Sequence, residues 1–268
     1  MNIFEEFVKC QNNFDYFVEN CCKIHHPIKG LIPFKLYDFQ KEIIKSYNEN
    51  RFVIIKKFRQ GGFSTLNIVY ALWLAMFQEQ KQILFVTNTD REAIILGRCL
   101  ENIINWMPEE FKPRMGYNCD HTKEFTTTKS IILFHSAHVY RYSMNTHVFI
   151  EEADFIPDME NYWLALYPTF VNGKCFVSSS ININTIKSWF ESTYNGSTKK
   201  LNQFKAIATH YKQHPDYNNS DWEIEVKKNL GESIFKKEFE CVFDDDPQIT
   251  KKQRIIELIL ELRKLITE

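Results

Sequence analysis

No excess of either charge, no cysteine framework and no long apolar run is present in this sequence, and each absence removes a class of function. Lys and Arg total 33 against 34 Asp and Glu, a formal net charge of -1. The chain therefore cannot coat a polyanion electrostatically, and any contact with nucleic acid must be local or shared with partners. The seven Cys, at positions 10, 21, 22, 99, 119, 175 and 241, form no C-x-x-C pair, and their odd number does not suit a disulfide framework. They read as the reduced thiols of a cytosolic protein. The start MNIFEEFVKC has neither the basic region nor the apolar stretch of a secretion signal, and no apolar run approaches the ~18 residues of a membrane span. The eight His show no metal-ligand spacing backed by Cys or carboxylates. Internal repeats and low-complexity segments are also missing. What is left, 268 residues at 44% hydrophobic and 25% charged, is an ordinary globular composition with chain enough for one large domain or two small ones.

From about residue 50 to residue 210, strand-length apolar runs alternate with segments of helical period. RFVIIKK (51–57) and QILFVTNT (82–89) predict buried strands, and 64–79 and 90–107 predict helices. That βαβα order is the signature of a parallel sheet covered on both faces. EFTTTKSIILFHSAHV predicts one or two strands, HVFIEE (147–152) and KCFVSSS (174–180) one buried strand each, and FKAIATHYK (204–212) a last one. The first 35 residues are aromatic-rich and helical in pattern, ending in HHPIKGLIPF, whose Pro and Gly predict an extended loop. After residue 212 come the helical stretches SDWEIEVKKNL and SIFKKEFEC. The predicted division is a core at about 35–212, a helical lid from 1–34 and 213–243, and, from 246 to 268, a linker with an amphipathic tail apolar at Ile255, Ile256, Leu258, Ile259, Leu262, Leu265 and Ile266. That tail has two open fates, docking on its own domain or on a partner.

Between the first strand and the first helix of the core lies KKFRQGGFST, Lys56 to Thr65. A phosphate-binding loop needs a strand, a Gly-containing turn and a helix whose first N–H groups face the anion. All three are here. Gly61 and Gly62 allow unusual dihedrals and close approach, and Ser64 or Thr65 stands where a hydroxyl would ligate Mg²⁺. The common pattern G-x-x-x-x-G-K-S/T puts a Lys just before the hydroxyl, whereas this chain has Phe63. The alternative is a plain strand-to-helix turn capped by Ser64. Lys56, Lys57 and Arg59 crowd the loop, and a nearby anion would account for them.

About 90 residues on, VFIEEADF (148–155) is an apolar strand ending in two carboxylates. One can position a metal ion while the other orients an attacking water, which is the division of labour that phosphoryl transfer needs. Glu151 is the expected metal ligand and Glu152 the expected water-orienting residue. Neighbours on a strand point to opposite faces, so the pair can share one task only where the chain turns at the strand end.

In this combined order the residues resemble the large terminase subunits of tailed bacteriophages, ATPases that pump DNA into procapsids. The family's Walker A variant R-Q-x-G-x-S/T is matched by Arg59, Gln60, Gly62 and Ser64, and Lys57 stands where such members place the Lys that replaces the usual one. LYDFQKEII resembles the adenine-recognising segment, with Gln40 as its amide, and EEADFIPDMENYWLALYP resembles Walker B, with Glu151 where Asp is more usual. Ser178, Ser179 and Ser180 lie where the family has its coupling motif, here without the Pro often found in it. Arg59, within the loop, and Arg141, shortly before Walker B, are the arginines that could stabilise charge on the γ-phosphate, Arg141 by reaching a neighbour in a ring.

The resemblance covers residues from about 20 to 243. It implies an additional-strand α/β P-loop (ASCE, RecA-like) fold, ATP and Mg²⁺ as cofactors, and double-stranded DNA, a portal or procapsid and a small terminase subunit as partners. It also implies a ring when assembled, a monomer in isolation, no membrane, and the cytoplasm of an infected host cell. The family's nuclease domain has no counterpart expected here, because Asp244, Asp245 and Asp246 are consecutive and make a poor two-metal site. A superfamily 2-like helicase and a degenerate, non-hydrolysing module that binds DNA or procapsid remain the alternatives.

Overall fold

A computed structural model of the chain describes residues 2–26, 28–138, 144–182 and 187–243. Arg141, the Asp244–Asp246 run and the C-terminal tail lie outside the described residues. In chain order the described elements are α1 (Ile3–Asn12), α2 (Phe14–Cys21), β1 (Lys23–His26), β2 (Gly30–Pro33), α3 (Asp38–Glu49), β3 (Phe52–Lys56), α4 (Phe63–Phe77), β4 (Gln82–Thr87) and α5 (Asp90–Trp106). They continue with β5 (Met115–Cys119), β6 (Thr122–Phe125), β7 (Ser130–Ser136), β8 (His147–Glu151), α6 (Met159–Leu166), β9 (Lys174–Ser179), α7 (Trp189–Thr198), β10 (Lys205–Ala208), α8 (Ser220–Leu230) and α9 (Glu232–Glu238).

The main sheet has the order β10-β3-β9-β8-β4-β7-β6-β5. From β10 through β7 every pairing is parallel, and β6 and β5 add an antiparallel edge. One further strand, β9, therefore separates the loop-bearing β3 from the carboxylate-bearing β8, as an additional-strand P-loop fold requires. The strands are buried on both faces because their side chains alternate between two cores. Val53, Ile55, Ile83, Phe85, Phe149 and Phe176 face α3, α4 and α5. Phe52, Ile54, Leu84, Val86, Val148, Ile150 and Val177 face α6 and α7. Helix α4 is apolar nearly all round and almost wholly buried, as such a helix must be. Helix α5 starts at a capping box in which Thr89 Oγ1 accepts from Glu92 N and Glu92 Oε2 accepts from Thr89 N.

Two parts of the sequence fold differently from expectation. HHPIKGLIPF carries no extended loop but the last two residues of β1 and all of β2, paired as a short antiparallel hairpin in which Gly30, at φ 70°, opens β2. Residues 115–119 form β5 on the sheet edge, where no strand was expected. Its sequence MGYNC holds Gly and Asn, poor strand formers, and the strand exists because β6 offers it an open edge. At the N-terminus, α1 and α2 seat on α4, with Phe14 against Tyr70 and Trp73 and Trp73 Nε1 donating to Cys10 O at 2.9 Å. The C-terminal helices instead close on the loop after β3, where Arg59 N donates to Glu238 O at 2.9 Å. Among the described residues no helix is long and apolar enough to cross a membrane, and all seven Cys are free.

Candidate active site

The C-terminal ends of β3, β9 and β8 lie side by side, with Lys56 opposite Ser179 and Glu151 opposite Ser178. In open α/β sheets this end of the strands is where ligands bind. The loop leaves β3 with Lys57 N bonded to Ser179 O at 2.9 Å, then turns through Gln60 at φ 60° and Gly62 at φ 73°. Gly62 supplies the left-handed conformation that L side chains avoid. Gly61 is required for space, since a Cβ there would stand 2.3 Å from the Phe63 ring and 2.8 Å from Phe58.

Phe63 explains its own presence. Its side chain turns inward and is buried between Phe39 and Phe58, with ring centroids at 5.6 and 5.4 Å. Its ring also lies beneath the Lys57 ammonium, 5.7 Å from Nζ to its centroid. Gln40 braces the same turn: its Oε1 accepts from Tyr37 N at 3.1 Å and its Nε2 donates to Gly61 O at 3.2 Å. The amide predicted to read adenine is thus buried and engaged on the loop itself.

Lys56 and Lys57 diverge as strand alternation predicts. Lys56 Nζ lies 5.0 Å over the Tyr194 ring and 4.8 Å over that of Phe243, on the side of α7. Lys57 is buried on the loop side, with Nζ 2.5 Å from Glu152 Oε1 and 3.8 Å from Glu151 Oε2. Burial alone would lower the Lys57 pKa, but the two carboxylates outweigh it and hold the ammonium above its usual range.

The carboxylate pair shares one site because β8 ends at Glu151 and Glu152 takes the left-handed conformation, φ 52° and ψ 49°. A non-Gly residue there costs about 1–3 kcal/mol and is kept where surroundings overdetermine it. Here they do: Glu152 Oε2 accepts from Ser180 N at 3.0 Å and Ser180 Oγ at 3.1 Å, while Lys57 holds Oε1. Burial pushes the Glu152 carboxyl up, yet the Lys57 charge and the bonds from Lys57 and Ser180 leave it below its ordinary value. Ser179 Oγ accepts from Asp154 N at 3.1 Å, fixing the turn after Glu152. The three serines predicted as a coupling motif thus grip both carboxylates, Ser178 by donating to Glu151 Oε2 at 3.2 Å.

Ser64 Oγ donates to Glu151 Oε2 at 3.0 Å; of the two hydroxyl candidates it is Ser64, ahead of half-buried Thr65, that meets the carboxylate. Among the described residues no group of three or more His, Cys, Asp and Glu could hold a metal ion. The oxygens that do meet here, Ser64 Oγ and Glu151 Oε2, are donors of the kind Mg²⁺ takes, since it needs only one or two protein oxygens and completes its shell with water and phosphate. A cavity of about 150 Å³ lined by Ser64, Thr87, Glu92, Ile95, Leu96, Glu151 and Glu152 opens beside the pair. A larger one, about 490 Å³, lies at the opposite end of the strands near His147 and Lys174 and includes none of these residues.

Arg59 is drawn to the C-terminal helices. Its Nε pairs with Glu238 Oε2, and its guanidinium lies 5.7 Å over the Phe155 ring. Tyr217 Oη contacts Gln60 O and Oε1 at 3.4 Å, so the segment after residue 212 touches the loop at Gln60 as well as at Arg59. Sequence reasoning missed Asn67, which donates from Nδ2 to Glu151 Oε1 at 2.6 Å. The signal was available: within LNIVYALWLAMF, Asn67 is the one carboxamide in an otherwise apolar helical run.

No protein-family profile matches the chain. Solved structures do resemble it. The large terminase of bacteriophage HK97 superposes with a TM-score of 0.69 at 13% identity, over 85% of this chain and 53% of that one. The ATPase domain of the Thermus phage P74-26 large terminase gives 0.62 at 19% identity, over 79% and 95%. The large terminase of a thermophilic bacteriophage, solved in complex with ATP-gamma-S, gives 0.58 at 9% identity, over 77% and 52%. The chain spans about half the length of the first and third of these proteins. At these identities the likeness establishes an α/β P-loop fold with the architecture of large terminase ATPase domains.

Proposed function

We propose that this chain is the ATP-hydrolysing motor domain of a large terminase, using Mg²⁺ and driving double-stranded DNA into a procapsid. The observation that carries the proposal is the meeting of Lys57, Ser64, Glu151, Glu152 and Ser180 at the ends of three adjacent parallel strands. In this reading the phosphates lie on the turn at Gly61 and Gly62 and the N-terminus of α4, and Lys57 moves from Glu152 to the β- and γ-phosphates. Glu152, freed on Oε1, orients the attacking water and takes its proton. Ser64 Oγ and Glu151 Oε2 would hold Mg²⁺, which would neutralise charge on the phosphates. Gln40 would have to release Tyr37 N and Gly61 O to reach adenine and otherwise braces the turn, and Arg59, released by Glu238, would meet the γ-phosphate, with Arg141 the candidate to act across a ring.

Ser178, Ser179 and Ser180 would carry a change at Glu152 into β9, and the helices after residue 212, which touch the loop at Arg59 and Gln60, would serve as the lid, with α1 and α2 seated on α4 instead. A portal or procapsid and a small terminase subunit would be the partners, in the cytoplasm of the infected host. The test is phosphate release from MgATP, with and without double-stranded DNA and portal; no release under any of these conditions would remove the motor reading. One observation favours a non-hydrolysing DNA- or procapsid-binding module instead: the Lys57 charge is already met by Glu152 at 2.5 Å. Nucleotide binding without phosphate release would support that module.

A further inference from the structure

Helix α4 carries Asn67 one turn beyond Ser64, on the same face, since residues three apart on a helix are neighbours. The residue is 2% exposed, and a carboxamide buried that deeply is tolerated only when its hydrogen bonds are made. Both ends are used. Nδ2 donates to Glu151 Oε1 at 2.6 Å, and Oδ1 accepts from Tyr47 Oη at 2.8 Å. The direction of this chain of bonds is fixed by chemistry. A carboxylate only accepts, so the amide must turn its NH₂ to Glu151, and Oδ1 then requires Tyr47 to donate. Tyr47 is itself fully buried, with its ring 3.9 Å from that of Phe176 on β9, and its backbone carbonyl accepts from Lys174 Nζ at 2.7 Å.

The two oxygens of Glu151 are consequently unlike. Oε2 accepts from the hydroxyls of Ser64 and Ser178, and hydroxyl hydrogens rotate to suit a new partner. Oε1 faces an amide that cannot turn without placing its own oxygen against a carboxylate. We infer that Asn67, oriented by Tyr47, is a positioning residue that withholds Oε1 of Glu151, so that a divalent cation beside Ser64 meets that carboxylate through Oε2 alone. One-oxygen ligation suits Mg²⁺, which demands near-octahedral geometry, and disfavours Ca²⁺, which readily takes both oxygens of a carboxylate. The inference rests on the nucleotide-site reading above and adds to it a device for choosing between cations.

The experiment reads binding rather than turnover. A fluorescent ADP analogue is titrated onto wild type, Asn67→Leu and Tyr47→Phe in EDTA, then with Mg²⁺ or Ca²⁺ added back. Asn67→Leu keeps the volume and removes the amide; supporting partners of metal ligands are commonly worth about 10–100-fold in metal affinity. Its apparent Mg²⁺ affinity is expected to fall by about tenfold or more, its preference for Mg²⁺ over Ca²⁺ to narrow, and its binding in EDTA to stay at the wild-type level. Tyr47→Phe, which removes one hydroxyl and leaves the packing, should shift the preference the same way by a smaller factor. That variant decides the matter if Asn67→Leu does not fold. Cation-dependent binding in wild type with an unchanged Mg²⁺ to Ca²⁺ ratio in the variants overturns this inference alone. Wild-type protein without any cation-dependent nucleotide binding overturns it together with the nucleotide-site reading.

Discussion

Replacing Lys57 tests the centre of the site in two independent ways. In the free protein its ammonium stands between Glu151 and Glu152. Removing one partner of a buried ion pair leaves the other charge uncompensated and costs about 3–5 kcal/mol. The Glu152 side chain keeps 36% exposure, so solvent relieves part of that penalty and about 3 kcal/mol is the better expectation. For a domain of this size that is a melting point lower by about 6–12 °C. Lys57→Met should therefore unfold early, and adding Glu152→Gln should recover part of the loss, because the nearer of the two stranded charges is gone while Glu151 keeps its bonds from Ser64, Asn67 and Ser178.

Lys56→Met removes only contacts over Tyr194 and Phe243 and should cost about 1 kcal/mol. For phosphate release, loss of a charge-assisted bond to phosphate is worth about 1.5–3 kcal/mol, roughly one to two orders of magnitude in rate. Thermal melts of the two single variants and the double variant, followed by phosphate release at a temperature where all are folded, separate these effects. A Lys57→Met protein as stable as wild type, or Lys56→Met as the more damaged of the two in turnover, would refute the assignment.

Other outcomes follow from the same geometry. Glu152→Gln should bind nucleotide and fail to release phosphate, as the amide keeps the shape and loses the base; wild-type turnover would exclude Glu152 from the chemistry. Phe63→Ala opens a cavity among Phe39 and Phe58 and should cost about 3–5 kcal/mol in a denaturant titration. Its folded fraction should retain more hydrolysis than Lys57→Met, since Phe63 carries no charge and its ring only packs beneath the Lys57 ammonium, 5.7 Å from its centroid. His147 supplies a pH prediction far from the site: burial, then the charges of Lys81 and Lys174, push its pKa down to about 3. Its folded pKa lies below the unfolded value of about 6.5, so the unfolded chain binds the extra proton. Stability is then full above pH about 6.5 and is lost as pH falls toward the folded value. His147→Asn should flatten that acid limb in melts between pH 7 and pH 4.

Much of this was legible because the strands are buried on both faces. Runs such as FVIIK and HVFIE admit no alternative but a central strand, and a strand followed by a Gly turn and an apolar helix has few other homes. The hairpin β1–β2 and the edge strand β5 were not legible, because their four or five residues carry no periodic apolar signal and depend on a neighbour's open edge. The pairing of Arg59 with Glu238 was equally hidden, since 179 positions separate the two partners and only the fold brings them together. Asn67 belongs to a third kind: it is visible as a polar group in an apolar run, but its partners, Glu151 and Tyr47, are set by three-dimensional packing alone.

The left-handed turn at Glu152 joins these observations. On a straight strand Glu151 and Glu152 would face opposite cores, and one carboxylate would be buried without a partner at a cost of several kcal/mol. Ending β8 at Glu151 turns the second carboxylate toward the first, and the same turn exposes it to Ser180 N and Lys57 Nζ. The strained backbone, the serines of β9 and the displaced lysine are therefore parts of one arrangement: removal of any of them frees Glu152 to relax toward the strand geometry that its sequence position favours. A site built this way is held by strands β3 and β9, and under the proposed function Lys57 is the part that would exchange Glu152 for a phosphate.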